Sequence, residues 1–116
     1  MGKEEPITIN ILGSEWKILY GNKNDYPLLE GVSGYTDNSA RKIIIGEKPD
    51  YFEPENFERV QRRIIRHEII HAYFYESGMD GDIENIEFGV PELYVDWFAI
   101  QSPKIFKTFD ELGVNF

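Results

Sequence analysis

The chain has 116 residues, the size of one compact domain, and residues 1–116 read as a single unit. Apolar residues make up 41% of it and aromatics 15%, enough for a packed interior and too much for a disordered segment. The formal net charge of −9 repels phosphate backbones and anionic lipid heads, which argues against nucleic acid or a membrane surface as partner.

That acidity suits a cation site or a neutral or basic peptide substrate, although an acidic surface most often serves solubility alone. There is no cysteine, so disulfides and cysteine-ligated zinc are excluded. Met1 to Pro6 carry acid where a secretory peptide carries base, and no run approaches the ~20 apolar residues that span a bilayer. The expected location is the cytoplasm.

Ile7-Thr8-Ile9-Asn10-Ile11 alternates with period two and reads as a half-buried strand. Gly13-Ser14 offers a tight turn with glycine at its first central position, and Trp16 to Tyr20 resumes the alternation, so residues 7–20 read as a hairpin. Residues 21–34 form a Gly/Asn/Asp-rich connection with a helical turn at Leu28-Leu29. Gly34-Tyr35-Thr36 reads as extended, and Lys42-Ile43-Ile44-Ile45 as a β-branched strand ended by Gly46.

The period then changes. Nothing breaks a helix from about Glu55 to Glu76, and Ser77-Gly78 closes it with a glycine suited to a left-handed cap. Val60, Ile64, His67, His71 and Phe74 share one stripe, Ile65, Ile69 and Ala72 a neighbouring one, and Arg59, Arg62, Arg63 and Arg66 a solvated side. Residues 78–90 read as an acidic loop. Pro91 then opens a second helix through Ile100, Ser102-Pro103 punctuates it, and Ile105 to Leu112 form a last short helix ending at Gly113. Strands first and helices after indicate an α+β fold with a small, mainly antiparallel sheet.

Histidines at i and i+4 lie on one helical face about one turn apart, so His67 and His71 can direct both imidazoles at one tetrahedral ion at ~2.0–2.1 Å. Glu68 projects about 100° round the helix, within reach of a metal-bound water without ligating the metal. Zinc would lower that water's pKa toward ~7 and polarise a scissile carbonyl, while Glu68 takes the proton and returns it to the leaving amine. The chain's only two histidines and one of its 14 glutamates make this pattern, which random placement gives on the order of twice in a thousand chains. The plainer reading is a pair of core histidines. Three polar groups in an apolar stripe cost several kcal/mol unless something pairs them, and a metal is the simplest partner.

The third ligand must be Asp or Glu, because no third histidine exists and Phe74 stands where the extended motif has glycine. Asp80, Asp82, Glu84, Glu87, Glu92 and Asp96 are the candidates. The first four sit in the acidic loop. Glu92 and Asp96 lie at i and i+4 on an otherwise apolar helix, sharing its face with Val95 and Ala99. We favour Glu92 as the ligand, with Asp96 accepting the other ring N–H of a zinc-bound histidine and fixing its tautomer. The alternative for this pair is a solvent-exposed acidic edge of the helix.

His67-Glu68-Ile69-Ile70-His71 followed by Glu92-Leu93-Tyr94-Val95-Asp96 resembles the HExxH and ExxxD arrangement of gluzincin metallopeptidases. Arg66 to Tyr73, with Glu76-Ser77-Gly78 and Asp96 to Gln101, is similar to the small phage-like neutral zinc metallopeptidases, or minigluzincins. The spacing from Glu92 to Phe98-Ala99 is also similar to the ImmA/IrrE class, whose members act on repressor proteins. The resemblance covers most of the chain from Gly34 onward. It implies a zinc peptidase with an active-site helix, a glutamate helix and an edge strand that holds a peptide substrate in extended form, either Gly34–Asp37 or Lys42–Ile45. Larger gluzincins add a His or Tyr that stabilises the oxyanion; here Tyr35, Tyr73, Tyr75 and Tyr94 are the available donors. The competing reading is a catalytically weak or latent regulatory domain that keeps zinc, and a more remote one is a metal-free interaction module. The intact Glu68 favours the enzyme, because a purely structural zinc site is more often closed by four protein ligands.

Overall fold

The computed structural model describes residues 5–48, 54–79 and 92–115. Four strands precede two helices: β1 (Ile7–Ile11), β2 (Ser14–Gly21), β3 (Gly34–Asp37), β4 (Lys42–Gly46), α1 (Pro54–Glu76) and α2 (Glu92–Leu112). The sheet order is β1-β2-β4-β3. The outer pairs are antiparallel and the central pair, β2 with β4, is parallel. This is the expected α+β arrangement, with a 3-10 turn at Pro27–Leu29 that buries Leu29.

The hairpin turn falls one residue earlier than the sequence suggests. Ile11 pairs with Ser14, leaving Leu12 and Gly13 as the two central residues at φ +51° and +94°. Positive φ at both matches a turn whose twist fits a right-handed hairpin, and Asn10 Oδ1 accepts the Gly13 N–H at 3.0 Å. This register sets Ile9 opposite Trp16 and Ile7 opposite Ile18 on one face. A slip by one residue would turn the whole apolar set outward, so burial of Trp16 and Ile18 decides the turn.

The same alternation sorts the other strands. Ile18 aligns with Ile43 and Tyr20 with Ile45, while Thr36 and Gly34 of β3 oppose Ile43 and Ile45. Thr36 and Gly34 therefore face inward with these residues. Tyr35 and Asp37 take the outer face, where Tyr35 pairs with Ile44.

The inner face packs on α1. Ile11, Trp16, Ile18, Ile43 and Ile45 cluster with Ala72, and Ile64, Ile65, Ile69 and Tyr75 close around them. A second cluster joins the helices through Ile70, Val95 and Ala99, with Phe74 and Phe98 beside it. Helix α1 thus lies between the sheet and α2. It ends where expected: Gly78 adopts φ +88°, and the Gly78 and Met79 amides reach back to the Tyr75 and Phe74 carbonyls.

Two expectations are overturned together. Ser102-Pro103 does not end a helix, because α2 runs unbroken to Leu112 with Pro103 inside it, and Arg66 is not on a solvated side. Proline removes the N–H that would reach the Ala99 carbonyl. Arg66 is half-buried, and its Nε donates to that carbonyl at 2.5 Å from the neighbouring helix. Arg59, Arg62 and Arg63 are exposed as expected. The acidic loop from residue 80 onward and Pro91 lie outside the described residues. Among the described residues no helix is long and apolar enough to cross a membrane.

Candidate metal centre

Helix α1 stacks the two imidazoles one turn apart, with ring centroids separated by 4.9 Å. Helix α2 meets them from the side. Glu92, in its first turn, spans both rings: Oε1 lies 2.9 Å from Nε2 of His67, and Oε2 lies 2.8 Å from Nε2 of His71. One turn on, Asp96 Oδ1 lies 2.9 Å from Nδ1 of His67. The potential ligand atoms of His67, His71 and Glu92 all fall within 4.8 Å of one another.

The burial of these groups is uneven. The histidine side chains are only 15% and 19% exposed, whereas Glu92 and Asp96 are 68% and 62% exposed. The two carboxylates therefore do not share the packing face of Val95 and Ala99, both fully buried, but flank it and reach in toward the rings. A carboxylate in a helix first turn, as Glu92 is, is also favoured by the helix dipole. Of the loop carboxylates weighed from the sequence, Asp80, Asp82, Glu84 and Glu87 lie outside the described residues.

The donor set fits a cation. Both ring nitrogens of His67 face carboxylate oxygens. A neutral imidazole has a single N–H, so it can donate to only one of them. With the proton on Nδ1 toward Asp96, the Nε2 lone pair points at Glu92, an acceptor facing an acceptor; either a second ring proton or a bound divalent ion would resolve the conflict. Two imidazoles and a carboxylate with a fourth position open are a donor set suited to zinc.

Glu68, on the same helix, turns its carboxylate toward the sheet. It is 8% exposed, and its Oε1 accepts the Thr36 hydroxyl at 2.6 Å. Glu68 and His71 line a groove bordered by Gly34, Tyr35, Thr36 and Asn38, so β3 rather than β4 is the edge beside the site. The Asn38 Oδ1 is buried at this border without a hydrogen-bond partner among the described residues.

The tyrosines are differently placed. Tyr75 packs edge-on against Trp16 in the core, and Tyr73 and Tyr94 are exposed. Tyr35 borders the groove, but strand alternation puts its side chain on the outer face with Asp37. Burial, then the neighbouring Asp37 charge, holds its phenol above the ordinary range. Sequence reasoning did not find Thr36, Asn38 or Arg66. Thr36 was legible only as part of an extended segment and candidate edge strand, because its partner lies 32 residues away.

No protein-family model, curated protein or solved structure matches this chain.

Proposed function

We propose that this chain is a zinc-dependent peptidase in the manner of the minimal gluzincins, with His67, His71 and Glu92 as ligands and Glu68 as general base and acid. The observation that carries the reading is the convergence of both Nε2 atoms on the Glu92 carboxylate while Asp96 meets the opposite nitrogen of His67. When bound, zinc supplies Lewis acidity to a peptide carbonyl and lowers the pKa of water in its open position toward ~7.

The protein's own groups divide the remaining work. Asp96 holds the proton on Nδ1 of His67 and so keeps Nε2 free to ligate. Glu68 accepts a proton at its carboxylate and returns it to the departing amine, with Thr36 fixing its orientation by the hydrogen bond at Oε1. Among the described residues β3 is an edge strand along the groove, which suits an extended peptide added as a further strand.

The placement of the tyrosines favours a second reading, a zinc-holding regulatory domain with slow hydrolysis. Loss of one oxyanion donor can cost ~10²–10³ in rate, and Tyr75 lies in the core, Tyr73 and Tyr94 are exposed and Tyr35 is on the outer face of β3. One experiment separates the two. Zinc-loaded protein is incubated with a mixture of unstructured peptides beside the Glu68→Gln variant at matched zinc content. Cleavage by the wild type that the variant lacks supports the peptidase; equal cleavage, or none by either, removes it.

A further inference from the structure

We infer that Arg66 is a positioning residue: by binding the backbone carbonyl that Pro103 leaves open on α2, it sets the register of the two helices and so holds Asp96 and Glu92 against the imidazoles. In an α-helix the carbonyl of residue i takes the N–H of residue i+4. Proline at 103 has no N–H, so the Ala99 carbonyl has no partner within α2, and Ala99 is fully buried. Arg66 Nε fills this vacancy at 2.5 Å.

The position of this contact gives it its consequence. Arg66 directly precedes His67, and Ala99 follows Asp96 by three residues. Contacts therefore step along the interface in opposite senses on the two helices: Arg66 to Ala99, His67 to Asp96, then His67 and His71 to Glu92. A slip of α2 by one turn, ~5.4 Å, would take every one of these pairs apart. The apolar contacts of Ile70, Phe74, Val95 and Ala99 are non-directional and specify a register less sharply than a hydrogen bond does. A guanidinium donor facing the one carbonyl that proline has freed does select a register.

The inference rests on the metal-site reading for what the imidazoles hold. Its test is a cycle of four proteins: wild type, Arg66→Met, Pro103→Ala and the double variant. Zinc affinity is measured by competition titration, and the His67 Nδ1 proton is followed by NMR in zinc-free protein. In the wild-type background Arg66→Met should weaken zinc about 10-fold, as loss of an outer orienting contact does, and should abolish the Nδ1 proton signal. In the Pro103→Ala background the amide restored at position 103 takes the Ala99 carbonyl inside α2, so that change alone should already weaken zinc and the Nδ1 signal, and adding Arg66→Met should cost less than about 3-fold more. Equal losses in both backgrounds, or none in either, overturn the inference. A wild type that takes up no zinc defeats the metal reading instead, and the imidazole proton then decides the role of Arg66.

Discussion

Thr36 and Glu68 meet across the seam between β3 and α1, hydroxyl Oγ1 to carboxylate Oε1 at 2.6 Å. The strand supplies the donor because period-two alternation turns Thr36 inward, and the helix supplies the acceptor because Glu68 faces the sheet rather than α2. A buried carboxylate at 8% exposure needs such a donor. Thr36→Val keeps the shape and removes the hydroxyl, so it should destabilise the fold by about 1.5–3 kcal/mol, the range for hydrogen bonds to charged groups. Thr36→Ser should lose much less. Urea denaturation measures both, and a Thr36→Val protein as stable as wild type would show that the contact does not hold Glu68.

Asp96 and Glu92 touch the same imidazole but should behave differently on substitution. Asp96→Asn should weaken zinc binding by ~10–100-fold, as expected for a group that orients a ligand. Glu92→Ala should abolish binding in the same titration. If the magnitudes are exchanged, the ligand and the orienting residue have been assigned in the wrong order.

The hairpin carries a strained residue that can be relieved. Leu12 sits at φ +51° while the residue is 60% exposed, so little packing offsets the conformational cost. Leu12→Asn creates the Asn-Gly pair that this turn prefers and should raise stability by about 0.5–1 kcal/mol. An unchanged or lowered melting temperature would count against the positive-φ turn.

Acid sensitivity should be traceable in part to Glu76. Hydrogen bonds from Ser14 and then Arg41 hold its carboxyl below the ordinary 4.5, and Arg41 Nε approaches both carboxylate oxygens at 3.2 and 3.3 Å. A depressed folded-state value means that the unfolded chain binds the proton more readily. The contribution is therefore complete above about 4.5 and is lost as pH falls through the folded-state value. Glu76→Gln should flatten the acid limb of the stability curve, measured by denaturation from pH 6 downward. An acid limb identical to wild type would remove Glu76 from that account.

The sequence made the strands and helices legible because each is governed by local periodicity. The triple isoleucine at 43–45 could be read as a strand, and its alternation then sends Ile43 and Ile45 to the helix and Ile44 to the other face. What stayed hidden was long-range. Pro103 reads as a helix end by every local rule, and it is tolerated because Arg66, 33 residues before Ala99 in the chain, supplies the missing donor to the Ala99 carbonyl. The turn at Leu12-Gly13 was missed because the burial of Trp16, and not glycine preference, fixes the register. At the site, spacing was enough to group His67 with His71 and Glu92 with Asp96. It could not reveal that the carboxylates would be exposed while the imidazoles are half-enclosed, since that depends on how α2 lies against α1.

The most direct test of the central claim is metal analysis of purified protein, prepared without chelator and then titrated with zinc. About one zinc per chain is expected for the wild type and for Glu68→Gln, and none for His67→Ala, His71→Ala or Glu92→Ala. A wild-type protein that contains no zinc and takes none up would contradict the claim, and His67, His71 and Glu92 would then be no more than a hydrogen-bonded cluster between two helices.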